Sequence, residues 1–108
     1  MEDSEFEMVA FNIILHSGNA RSFIHEAMEY SKVFKFSEYQ QKIDAANKEL
    51  IEAHHSQTKM LQDFSKGMKI EMNILMVHAQ DHLMTTMTLK ETADEMYDLY
   101  KFLDRKLS

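Results

Sequence analysis

The chain has 108 residues, 44% of them hydrophobic, and carries 18 acidic against 12 basic side chains, a formal charge of −6. That length supports one domain, residues 1–108, with a single modest core and no room for a second. The negative balance argues against nucleic acid, whose binding draws on clustered lysine and arginine, and the absence of cysteine excludes disulfides, thiol nucleophiles and thiolate metal sites.

With no proline, two glycines and an abundance of good helix formers, the composition predicts an all-α protein. Ser4 and Glu7 have the spacing of a capping box and open helix 1, about residues 4–32. Its apolar positions Phe6, Val9, Ala10, Ile13, Ala20, Phe23, Ile24, Ala27 and Met28 follow a helical period interrupted by Ser17-Gly18-Asn19. A mid-helix glycine costs ~1 kcal/mol relative to alanine, so Gly18 marks a kink or a close approach rather than a break. A second capping box, Ser37 with Gln40, opens helix 2, about 37–66. Its seam of Tyr39, Ile43, Ala46, Leu50, Ala53, Gln57, Met60 and Phe64 alternates spacings of four and three and stops at Gly67. Helix 3, about 69–104, carries the seam Leu75, His78, His82, Thr85, Leu89, Thr92, Met96, Leu99 and Leu103. Helices of ~30 residues, each ~45 Å long, suit an antiparallel three-helix bundle, and their long seams favour self-association. Met1-Glu2-Asp3-Ser4-Glu5 lacks the basic and apolar regions of a secretion signal, and no segment approaches the ~20 apolar residues of a membrane span. A soluble, cytoplasmic protein is the expectation.

His78, Asp81, His82 and Thr85 form a polar stripe on one side of helix 3, which is costly unless it does chemistry or binds something. Three readings follow. The histidines could be structural, satisfied by neighbouring hydrogen bonds. They could bind a metal, with His78, Asp81 and His82 ligating from one helix face. Or His78 could be a phosphoryl acceptor, since a neutral imidazole nitrogen can attack phosphorus in line, with His82, Gln80 or a threonine hydroxyl as donors to the phosphoryl oxygens. Asp81 would repel such a group unless a cation neutralised it or it turned towards another subunit. Glu52-Ala53-His54-His55 contains one Glu-x-x-His motif, whereas a di-iron bundle needs two and further inward acids. His16 and His25 carry no such signal, and the ten methionines fall mostly at core positions.

Val77-His78-Ala79-Gln80-Asp81-His82-Leu83-Met84-Thr85-Thr86 resembles the active-site motif of the IIA components of the lactose/cellobiose family in the phosphoenolpyruvate-dependent sugar phosphotransferase system. Ser17-Gly18-Asn19-Ala20-Arg21-Ser22 and Glu52-Ala53-His54-His55-Ser56-Gln57-Thr58 are similar to two further elements of that family, in the same order. The resemblance implies a homotrimer of three-helix subunits that takes a phosphoryl group from HPr and passes it to a cysteine of the cognate IIB, acting with a membrane IIC. It places the phosphorylated histidine at His78. It places the metal-binding aspartate at Asp81, three copies of which would surround one Mg²⁺ per trimer, and it puts Gln80 and His82 among the residues lining the site. Phe34-Lys35-Phe36 departs from the Gly-Asp-Phe that family members often carry. Ala79 and the Ser-Gly element look more like the cellobiose/chitobiose branch, implying a β-linked disaccharide. A regulatory, non-catalytic adaptor is the remaining alternative.

Overall fold

The computed structural model describes residues 3–69 and 73–108. Its elements are α1 (Asp3–Lys32), α2 (Phe36–Ser65) and α3 (Ile74–Leu107), with no strand among the described residues. Side-chain partners give their directions. His16 of α1 meets Glu49 of α2 while Glu26 meets Lys42, so these helices run antiparallel. Tyr39 reaches Asp94 while Gln57 reaches Gln80, so α2 and α3 are antiparallel too, and Arg21 against Thr86 sets α1 and α3 parallel. The result is an up-down-up bundle about 58 Å long and 20 Å across.

The core follows from three seams of alternating three- and four-residue spacing. On α1 it is Phe6, Ala10, Ile13, Ser17, Ala20, Ile24, Ala27 and Ser31, all buried. The many small residues let α1 approach both partners closely, and it packs along each of them more fully than they pack on one another. The buried residues of α2 are Tyr39, Ile43, Ala46, Ala53 and Met60, members of the expected seam, although its last member, Phe64, is exposed. Two clusters result, one around Phe6, Ile13, Met60, Met76 and Leu83 and the other around Ile24, Tyr39, Ile43 and Ala93, with Leu50 packed against both. Burying each of the larger side chains contributes about 1.5–3 kcal/mol. Tyr39 is the largest fully buried side chain; it stacks on Tyr97 at 4.0 Å between ring centroids and donates to Asp94 Oδ1 at 2.8 Å.

The helix ends differ in part from what the spacing predicts. The side chain of Ser4, to which the first capping box was assigned, lies outside the described residues. Ser37 is not a cap: α2 starts at Phe36, the capping position is Lys35, and no side chain bonds there. What makes this turn is the end of α1. Phe34 N–H bonds to Ser31 O at 3.1 Å and Lys35 N–H to Tyr30 O at 3.0 Å, with Phe34 in the left-handed region at φ 63°. This is a Schellman-type ending, which glycine favours because a Cβ is strained there, and here Phe34 takes that position. At the other end, α3 begins at Ile74 rather than near 69, and Asn73 caps it by accepting from Met76 N–H at 2.9 Å. Gly18, expected to mark a kink or close approach rather than a break, indeed leaves α1 continuous through it.

The seam expected on α3 is displaced by one residue. The inward side chains are Met76, Ala79, Leu83, Thr86 and Ala93, whereas His78, Thr85, Thr92, Leu99 and Leu103 are exposed. Ile74, Val77, Met84, Leu99 and Phe102 are also exposed and apolar. The helix therefore has apolar residues on two sides, and periodicity alone could not say which one faces α1 and α2.

Candidate functional site

The Asn73 cap completes the first turn of α3 and so defines the helix one turn before His78. His78 is exposed, and its ring nitrogens make no hydrogen bond among the described residues. One turn on, His82 is half-buried; the two rings are parallel within 5° with centroids 5.9 Å apart. The pair thus lies on the flank of α3 that turns from solvent towards α1.

His82 rests against α1. A Cβ at Gly18 would lie 3.5 Å from His82 Nε2, so the missing side chain leaves this nitrogen open beside α1. Burial pushes the His82 ring below the usual histidine range, helped by the Arg21 guanidinium and by His78, which favours its neutral form. Arg21 Nη2 donates to Thr85 Oγ1 at 2.9 Å and Nε to Thr86 Oγ1 at 3.3 Å. Those hydroxyls donate in turn to backbone carbonyls, Thr85 to Asp81 O at 2.8 Å and Thr86 to His82 O at 2.7 Å.

The remaining candidates point elsewhere. Gln80 lies on the α2 side of α3, where its Oε1 accepts from Gln57 Nε2 and its own Nε2 lies 3.8 Å from Met76 Sδ. Within one chain it does not share a face with His78. Asp81 is exposed on the outer face of α3, among Ile74, Val77 and Met84. Among the described residues no three His, Asp or Glu side chains stand close enough together to hold a metal, so the ligand set His78, Asp81 and His82 is not assembled in one chain. The physical reason is angular: at 100° per residue, Asp81 is turned away from the flank that His82 takes towards α1. His54 and His55 are exposed on α2, lining a groove of about 680 Å³ with Leu50, Ile51, Met87 and Lys90.

Arg21, Thr86 and Gln57 were not singled out for roles at the site by the sequence. Gln57 had left a trace as the polar member of an apolar seam, and Arg21 as part of the Ser-Gly-Asn-Ala-Arg-Ser element.

Residues 8–101 match the family model described as the PTS system, lactose/cellobiose specific IIA subunit. The chain belongs to this family. It is 46% identical over 99 residues to the lichenan-specific phosphotransferase enzyme IIA component of Bacillus subtilis, covering 92% of this chain and 90% of that protein. It is 38% identical over 101 residues to the lactose-specific EIIA component of Staphylococcus epidermidis, covering 94% and 97%. The crystal structure of PtcA from S. mutans superposes with a TM-score of 0.91 at 51% identity, covering 94% of this chain and 99% of that one. The IIA(chitobiose) chain of a solution structure of the IIA(chitobiose)–HPr complex does so at 0.80 and 32%, covering 96% and 99%. As a family IIA component, the chain is a phosphotransferase-system protein that carries phosphoryl groups. Among the described residues no helix is long and apolar enough to cross a membrane.

Proposed function

We propose that His78 accepts a phosphoryl group from HPr and passes it to a cysteine of the cognate IIB. The observation that carries this reading is an exposed imidazole with no hydrogen bond to the described residues, one turn before a half-buried second imidazole whose plane is parallel to it. A lone pair on the His78 ring attacks phosphorus; the new N–P bond forms as the donor's N–P bond breaks, and in the second step an S–P bond replaces it. His82, one turn on, can donate an N–H to the phosphoryl oxygens. HPr as donor is supported by the structural neighbour in complex with HPr.

The rest of the reading concerns assembly. Asp81 offers one hard oxygen donor on an outer face whose neighbours are apolar, which suits a divalent cation such as Mg²⁺ only if several copies of the chain contribute one carboxylate each. A homotrimer packed through Ile74, Val77, Asp81, Met84 and Thr88 of α3 would supply three and bury that face. It would also bring a neighbour's residues to the His78 flank, the one arrangement in which Gln80, turned away within its own chain, could line the site. The substrate is a β-linked disaccharide of the cellobiose/chitobiose type, favoured by Ala79 and the Ser-Gly element and by relatives named for lichenan and N,N'-diacetylchitobiose. The setting is the cytoplasm, with a membrane IIC.

Incubation with phosphoenolpyruvate, enzyme I and HPr tests the reading. Acid-labile, base-stable phosphate should map to His78 by mass spectrometry and vanish in His78→Ala with helicity retained. Label on His82 or His54 would overturn the assignment.

A further inference from the structure

Arg21 makes contacts that a simple link between helices does not need. Its guanidinium spans two neighbouring hydroxyls, Thr85 and the fully buried Thr86, with two of its five N–H groups. Each hydroxyl accepts from arginine and hands its own proton to a carbonyl one turn back; Thr85 shares its proton between Asp81 O at 2.8 Å and His82 O at 3.3 Å. The bonds in such a chain polarise one another in one direction. Threonines that bond back in mid-helix also pull on the preceding turn and bend it. Here two consecutive threonines act on the single turn that carries His82, and α1 approaches that turn from the same side, with Gly18 beside His82 Nε2.

We propose that Arg21 is a positioning residue for phosphoryl transfer: through Thr85 and Thr86 it fixes the turn of α3 that holds the His82 ring parallel to His78. The inference rests on His78 being the phosphoryl acceptor. A donor to phosphoryl oxygens works only if it is already in place, and misplacement by about 1 Å costs roughly a hundredfold in rate. Lysine would not substitute, because a single ammonium cannot hold two hydroxyls in a fixed fork.

The test is transfer from phosphorylated HPr to the full chain in wild type, Arg21→Gln, Arg21→Lys, Thr85→Val/Thr86→Val and the triple variant. The expected result is a fall in kcat of about ten- to a hundredfold in both arginine variants, with KM for phosphorylated HPr changed by less than about twofold. Arg21→Gln should add nothing in the double-valine background, since the arginine acts through those hydroxyls. The His82 ring-proton resonances should move in Arg21→Gln. A lowered melting temperature with kcat intact, a rise in KM alone, or additive losses would each overturn the inference. If Arg21→Gln does not fold, Arg21→Lys and the double-valine variant decide it. Labelled wild type with unaffected variants overturns this inference alone; unlabelled wild type overturns the acceptor reading with it.

Discussion

At Gly18, helix propensity and the site pull in opposite directions. An alanine there would favour α1 by about 0.5–1 kcal/mol and would meet His82 Nε2 at ordinary contact distance rather than clash. Gly18→Ala is therefore expected to raise the unfolding free energy by about that amount in urea. It should slow phosphoryl transfer, because the methyl group covers the nitrogen that the glycine leaves open. Equal transfer rates would remove Gly18 from the site. Tyr39 shows the same coupling of packing and chemistry in the core. Burial, and then its bond to Asp94, push its hydroxyl above the ordinary tyrosine range. Because the folded value is raised, the unfolded chain binds fewer protons once pH exceeds about 10, so this contribution is complete below that pH and is lost as pH rises further. Tyr39→Phe should cost about 1 kcal/mol at neutral pH, and the gap to wild type should narrow above about pH 10 in denaturation series.

Among the elements, α2 was the most legible, because only one of its sides is apolar and the seam read from Tyr39 to Met60 is the seam that is buried. Helix α3 was misread by one residue because it carries two apolar sides, and nothing local distinguishes the one that meets α1 and α2 from the one left outside. The ends of helices were the least legible parts. Ser37 with Gln40 has the spacing of a cap, yet the Schellman-type ending of α1 carries the chain directly into α2 and leaves Ser37 inside it. That ending tolerates a phenylalanine at positive φ at a cost of about 1–2 kcal/mol, with the ring set 6.0 Å from that of Phe36. Within one chain the candidate site draws on α3 and α1, while the α2 motif reaches only Gln80 through Gln57. Only α3 announced itself by polarity; Arg21 of α1 entered the sequence reading as a member of the Ser-Gly-Asn-Ala-Arg-Ser element without a role, because its partners Thr85 and Thr86 lie more than sixty residues along the chain.

For the molecule as a whole, a rod 20 Å across leaves a large share of its apolar side chains outside, among them Ile74 at 89% exposure and Leu107 at 76%. Patches of this kind mark association surfaces. If copies meet through the outer face of α3, the Asp81 carboxylates face one another, and their repulsion opposes assembly unless a cation intervenes. Asp81→Leu is accordingly expected to hold the trimer without added divalent metal, read by sedimentation in the presence of a chelator. Loss of the trimer in that variant would count against an axial carboxylate cluster.

Composition and short-range pattern determined the helical class, the course of α2 and the identity of the histidine stripe, because propensity, spacing and motif are properties of neighbouring residues along the chain. The tertiary structure alone decided which side of α3 is inside, that Gln80 turns to Gln57, and that Arg21 stands behind His82. Each of those depends on the angle at which one helix meets another, and that angle is set by packing among residues tens of positions apart.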